Sequence, residues 1–221
     1  MIKVKKERSS LRRENKMDLT DLPFLVEFDI LDEGAENDFK KIASKSSRLA
    51  FILTGSPRAG KSTVVNKFIR PRSKGLKQIN PDDISLQVTK DPNVHHMPAT
   101  KLSMAQSGLF FKDRKDDANF IYDSTGGSPR RLSRLSKTAK EAGYTVIIVS
   151  VLAPLKDTIK RNAASDRHVD DEYLIRKWKQ AQSDLPKINA VVKPKHHFVV
   201  VNTGSRRIAI WYRYDGSRIT K

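Results

Sequence analysis

The chain has 221 residues, no cysteine, 38% apolar and 31% charged residues, and a formal net charge of +18. That length suits one compact α/β domain with appendages, and the missing cysteines exclude a disulfide framework and any thiolate metal site. So positive a field attracts polyanions, which makes nucleic acid a candidate partner alongside nucleotides, although a basic surface also serves solubility alone.

Residues 1–16, MIKVKKERSSLRRENK, carry seven Lys/Arg against two Glu and read as a basic flexible tail without the apolar stretch of a secretory signal. Residues 17–47 turn acidic and read as an N-terminal extension with a helix near Glu36–Ser44. Residues 48–221 then carry the pattern of the main domain. RLAFILTG, Arg48–Gly55, is a continuous apolar run of the kind a parallel strand shows when both sheet faces are covered. A helix is expected from Lys61, with Val64, Val65, Phe68 and Ile69 buried and RPRSKG ending it. Lys77–Asn80 reads as a short second strand, and residues 86–112 are weakly patterned.

Asn119–Gly127 reads as a third strand ending in polar residues. The next segment, SPRRLSRLSKTAKEAG, predicts a helix with Pro129 near its start, Leu132, Leu135, Ala139 and Ala142 on one face, and Gly143 closing it. YTVIIVSVLAP is a fourth buried strand; its apolar core, Val146–Pro154, is too short to span a bilayer. No membrane partner is expected, and the cytoplasm is the expected compartment. Two helices follow, through LKDTIKRNAAS and DDEYLIRKWKQAQSDL, and then a strand pair, His196–Gly204 and Arg207–Tyr214, with a hairpin-like TGSR turn. Alternating strands and helices mean a mostly parallel sheet with helices on both faces.

GSPRAGKS matches G-x-x-x-x-G-K-[ST], with Gly55, Gly60, Lys61 and Ser62 in the fixed positions. A bare match arises by chance in roughly 1% of chains this long; here it also has the required strand before it and helix after it. Gly55, Ser56, Pro57, Arg58, Ala59, Gly60, Lys61, Ser62 and Thr63 are thus the expected nucleotide-binding residues. Backbone N–H groups and the helix N-terminus face the phosphates, Lys61 charges the β/γ-phosphates, and Ser62 offers a hydroxyl to Mg²⁺. The fold class is therefore a three-layer α/β P-loop NTPase/kinase fold, with ATP and Mg²⁺ as expected cofactors.

INPDD, Ile79–Asp83, falls at the end of the second strand, where an acceptor sits in a doubly wound sheet. Phosphorylating a hydroxyl needs a carboxylate to orient the acceptor and take its proton. Asp82 is the candidate base, with Asp83 beside it; a plain N-P-D-D turn is the bland reading. At the end of the third strand, Asp123 is a candidate for holding Mg²⁺, and Ser124 and Thr125 for touching substrate. Arg161, Arg167 and Arg176 lie late in the chain, where a lid would clamp a polyphosphate; Arg161 and Arg167 are the candidates for stabilising the transferring phosphoryl group.

The ordered set, GSPRAGKS, INPDD, YDSTG and the late arginines, resembles the zeta-toxin-type P-loop kinases, as does the terminal FVVVNTGSRRIAIWYRYDG. The resemblance covers about residues 48–218. It implies transfer of the ATP γ-phosphoryl group to a hydroxyl of UDP-N-acetylglucosamine or a related UDP-sugar. It further implies ATP–Mg on Lys61 and Ser62, Asp82 as base, Asp123 at the position of a family acidic residue, Arg161 and Arg167 as lid arginines, and an antitoxin-like protein as a candidate partner. INPDD also resembles the acidic motif of polynucleotide 5′-hydroxyl kinases, in which an arginine commonly stands where this chain has Ser85. A nucleic-acid- or assembly-binding protein on a P-loop scaffold is the reading from a different class.

His95–His96 and His196–His197 lack metal-ligand spacing. Trp178 is expected in packing. Trp211, Tyr212 and Tyr214 alternate with arginines as base-stacking residues would, but a half-buried terminal strand explains them better.

Overall fold

The computed structural model describes residues 33–45, 47–73, 75–91, 97–113, 117–125, 128–165, 168–203, 210–214 and 219–220. The basic tail 1–16, His95–His96 and Arg167 lie outside the described residues. Helix α1 (Glu33–Lys45) precedes strand β1 (Leu49–Thr54). After the glycine loop, α2 runs as an α-turn over Lys61–Val64, widens to a π-turn over Val65–Ile69 and tightens to 3₁₀ over Arg70–Arg72. Then come β2 (Lys77–Ile79), α3 (Pro81–Thr89), α4 (Met97–Lys112), β3 (Phe120–Asp123), α5 (Pro129–Glu141) and β4 (Thr145–Leu152). The chain continues through α6 (Leu155–Ala163), α7 (Asp171–Ser183), α8 (Leu185–Val192), β5 (His196–Val201), β6 (Ile210–Tyr214) and β7 (Ile219–Thr220).

The strands form one sheet in the order β2-β3-β1-β4-β5-β6-β7. β1 to β5 are mutually parallel, and β6 and β7 add antiparallel at one edge. This is the expected mostly parallel α/β sheet. β1 sits inside it with its side chains alternating between two cores. Leu49, Phe51 and Leu53 face α1 and α2, while Ala50 and Ile52 face α3, α4, α5 and α8. Phe39 of α1 stacks on Trp211 of β6 at 4.3 Å, with Phe198 edge-on at 5.4 Å. Trp211 is thus 1% exposed; it, Tyr212 and Tyr214 are core residues of the terminal strand and not a stacking platform for bases. Trp178 is packed as expected, its indole N–H donating to Ala153 O at 2.8 Å.

The weakly patterned stretch 86–112 holds all of α4, and α3 runs into it from Pro81. On α4 the buried face is partly polar: Ser103 and Ser107 are fully buried, their hydroxyls donating back to Thr100 O at 2.8 Å and Ser103 O at 2.7 Å. Leu102 and Leu109 are exposed on the same helix. These side chains invert the usual rule of apolar inside and polar outside, which blurs the helical period in sequence.

A polar chain crosses the second core. Thr54 Oγ1 lies 2.8 Å from Ser150 Oγ, which lies 2.9 Å from His197 Nε2; His197 Nδ1 lies 3.1 Å from Asn189 Oδ1 on α8. Burial pushes the His197 pKa down to about 3. The folded chain therefore refuses a proton that the unfolded chain accepts below about pH 6.5. This contribution to stability is complete above pH 6.5 and is lost as pH falls toward 3. The expected loss is about 2 kcal/mol at pH 5 relative to pH 8. Urea unfolding of wild type and His197→Gln at the two pH values measures it: the variant should lack this component, and equal pH dependences would rule His197 out as its source.

Candidate active site

β1 delivers the chain into a turn that only glycine satisfies at two points. Gly55 has φ 144°, and a Cβ there would come within 2.2 Å of Val151 O; Gly60 has φ 93°, and its Cβ would meet Asn202 Nδ2 at 1.9 Å. Both positions combine a left-handed backbone with no room for a side chain. Arg58 also has positive φ, 62°, a conformation that costs a non-glycine residue about 1 kcal/mol. Its guanidinium reaches Asn162 Oδ1 at 3.5 Å. Ala59 is buried in the first core and anchors the loop to it.

Lys61 curls over the loop and donates to Gly55 O at 3.2 Å and Ser56 O at 3.3 Å. Ser62 is exposed at the start of α2, and Thr63 is half-buried behind it. Arg161 of α6 holds the loop from beneath. It donates to Arg58 O at 3.1 Å, Ala59 O at 3.4 Å, and to Asn202 O and Oδ1, both at 3.3 Å. Asn202, just past β5, adds a bond from Nδ2 to Ala59 O at 3.2 Å. Arg161 thus touches loop carbonyls as well as lining the cleft. Replacing it with methionine should weaken ATP binding about 10-fold, the scale of one or two charge-assisted bonds. Titration calorimetry reads this directly. Unchanged ATP affinity with lost turnover would place its effect on the transferring group instead.

The acidic residues converge from two strand ends. Asn80 caps α3, its Oδ1 accepting from Asp82 N at 2.8 Å, and Pro81 follows at the first helical position. Asp82 and Asp83 occupy that first turn. β3 lies beside β1, with Asp123 opposite Leu53, so its carboxylate emerges next to the loop. Asp123 is 4% exposed. Burial pushes its carboxyl pKa up, Lys61 pulls it down, and Asp82 and Asp83 push it up again. Asp83 is pushed up by burial and by Asp82. Lys61 and the three carboxylates thus form one electrostatic cluster.

These groups line a single open cleft of about 1580 Å³. Thr125 lines it too, while Arg176 lies 5.4 Å from the Tyr173 ring. Ala164, Ser165, His168, Val169 and Asp170 line it as well, and Asn162 pins the start of α7, its side chain bonding Val169 N, Val169 O and Asp171 Oδ1 at 3.1, 2.6 and 3.1 Å. Lys101 of α4 and Arg131 and Arg134 of α5 also line the cleft. Nothing in the sequence marks these last three for the cleft beyond the i, i+3 spacing of the arginines. Asn202 had one signal, its place at a strand's carboxyl end.

A family model described as an AAA domain (AAA_33) matches residues 51–187, which take in the loop, the acidic pair, Asp123 and the α6–α7 connection. The chain belongs to this AAA domain family. Among solved structures, it is similar to a chain of the Pnkp1/Rnl/Hen1 RNA repair complex, with 23% identity, TM-score 0.53, and coverage of 66% of this chain and 48% of that one. It is similar to a chain of the AvrRxo1-ORF1:ORF2 complex with ATP at 13% identity and TM-score 0.59, covering 84% and 66%. It also resembles a chain of the PezAT toxin–antitoxin system of Streptococcus pneumoniae, at 14% identity and TM-score 0.50, covering 82% of each chain. The likenesses establish a P-loop kinase-like fold. The chain spans about half the length of the first of these and about two thirds of the second. No curated protein matches it significantly.

This AAA domain chain presents a donor set suited to nucleotide phosphate: a loop with no room for side chains at two glycines, a lysine ammonium held against that loop's own carbonyls, and the exposed Ser62 hydroxyl. Among the described residues, no group of three or more His, Asp or Glu is placed to hold a metal. Ser62 and Asp123 fit a divalent cation whose other ligands are phosphate oxygens and water. Among the described residues, no helix is long and apolar enough to cross a membrane.

Proposed function

We propose that the chain is an ATP-dependent phosphotransferase that moves the γ-phosphoryl group to a hydroxyl acceptor. The observation that carries the reading is the convergence of the phosphate loop, Lys61, Asp82 and Asp123 in one cleft. The loop N–H groups and Lys61 hold the β- and γ-phosphates. A carboxylate oxygen of Asp82 accepts the acceptor's hydroxyl proton as its oxygen bonds to the γ-phosphorus. The bond from that phosphorus to the β–γ bridging oxygen breaks, and ADP leaves. Bound Mg²⁺, held by Ser62 and Asp123 through its water shell, would offset charge on the β/γ-oxygens. Arg161 keeps the loop in shape, and Arg167 is proposed as a lid arginine. Asp83 and Thr125 are placed to orient the acceptor.

The zeta-toxin-like motif set makes UDP-N-acetylglucosamine or a related UDP-sugar the proposed acceptor. A 5′-hydroxyl polynucleotide is the second reading, favoured by the net charge of +18. A P-loop scaffold that binds nucleic acid with little transfer is the third. We further propose the cytoplasm as the compartment and an antitoxin-like protein as a partner; the PezAT complex is itself described as a toxin–antitoxin system.

The test is γ-labelled ATP offered with UDP-N-acetylglucosamine or a 5′-hydroxyl oligonucleotide. Label on the sugar supports the first reading and label on the oligonucleotide the second. Label on neither, with salt-sensitive polynucleotide binding, supports the third.

A further inference from the structure

We infer that the cleft has an anion-binding subsite on its acceptor side, built by Arg131, Arg134 and Lys101, which takes a phosphate that the acceptor already carries. Arg131 and Arg134 lie three residues apart on α5, which places both on one helix face, and both line the cleft that holds the phosphate loop. Lys101 reaches the same cleft from α4. Among the described residues, no carboxylate pairs with any of the three. The first turn of α5 holds no acidic residue, and its cap residue Ser128 also lines the cleft. The helix dipole therefore adds to the arginines' field. Burial raises the pKa of the Tyr122 hydroxyl at the cleft wall, and the Ser103 hydrogen bond and the nearby Arg131 charge offset part of that rise.

The charge division along the cleft sets the chemistry. The carboxylates Asp82 and Asp83 at the start of α3 and Asp123 at the end of β3 line the same cleft as the phosphate loop's cations and this second cationic group. The loop cations are committed to the donor. Arg131, Arg134 and Lys101 come from α4 and α5, outside the loop, and are left for the rest of a molecule whose hydroxyl meets Asp82. Two guanidinium forks and an ammonium suit a phosphodiester or a diphosphate, not a neutral sugar or nucleoside. The shared chemistry is thus a phosphate ester adjoining the reacting hydroxyl, in a UDP-sugar or in a polynucleotide. Naming the bound molecule an acceptor rests on the phosphotransferase reading; the subsite itself does not.

Equilibrium binding to the full chain separates the two. The probes are UDP-N-acetylglucosamine, N-acetylglucosamine, a labelled 5′-hydroxyl oligonucleotide, and ATP, each titrated into wild type, Arg131→Gln and Arg134→Gln. Each substitution should weaken one phosphate-bearing probe about 10- to 100-fold, the scale of a lost charge-assisted pair, and leave ATP affinity unchanged. N-acetylglucosamine should bind wild type and variants equally poorly. Which phosphate-bearing probe responds tells the two sources apart. If both variants bind those probes as wild type does, or if wild type binds neither, the subsite is overturned. Loss of binding in the variants with no transfer by wild type keeps the subsite and overturns the phosphotransferase reading.

Discussion

Replacing Lys61 with alanine is expected to lower phosphoryl transfer by about 10³-fold or more, because on the proposed reading it removes the loop ammonium that meets the β/γ-phosphates. The side chain now spans Gly55 O and Ser56 O, at 3.2 and 3.3 Å. On the proposed reading the ammonium exchanges those carbonyls for phosphate oxygens when a nucleotide binds. Lys61 belongs to none of the apolar core clusters, so thermal stability without nucleotide should change little. The check is initial-rate transfer from γ-labelled ATP to whichever acceptor the wild type uses, with a melting curve beside it. Activity within tenfold of wild type would remove Lys61 from the phosphate site.

The second large effect is expected at Asp82. Asp82→Asn keeps the size of the side chain and the backbone bond that caps α3, from Asp82 N to Asn80 Oδ1 at 2.8 Å. It removes the proton acceptor. Transfer should fall about 10²- to 10⁴-fold, the usual contribution of a positioned base. ATP affinity should hold, since the phosphate loop is untouched. Running Asp83→Asn in parallel separates the neighbours: it should cost far less if Asp82 is the base. Near-normal transfer by Asp82→Asn would move the base to another carboxylate, with buried Asp123 the next to test.

What could be read from sequence follows the range of the interaction. The phosphate loop, the INPDD turn and Asp123 are each fixed by a few consecutive residues with a strong local requirement, a tight glycine turn, an N-cap or a strand end. All three were legible, and so were β1, β3, β4 and α5, whose buried faces keep a regular period. Helix α4 was not, because buried serines that bond back to their own helix hide the apolar stripe, and in α3 a buried Ser85 beside exposed Leu86 and Val88 does the same. Arg161 could be selected as a phosphate-region arginine, but its contacts with Arg58 O and Asn202 could not, because they join residues 103 and 41 positions apart. Lys101, Arg131 and Arg134 reach the cleft only because α4 and α5 pack side by side over β3.

The clasp of Arg161 and Asn202 on the loop has a consequence for how the protein is made. The motif that grips phosphate is complete by residue 62, but the side chains that hold its carbonyls come about a hundred and a hundred and forty residues later. At 5–20 residues per second, a ribosome needs roughly 5 to 30 seconds to cover that distance. During that interval the nascent chain carries every residue of the motif without its supports. Nucleotide capture should therefore begin late in synthesis, when the β5 end has emerged, and fragments truncated before Asn202 should hold ATP weakly even with an intact GSPRAGKS.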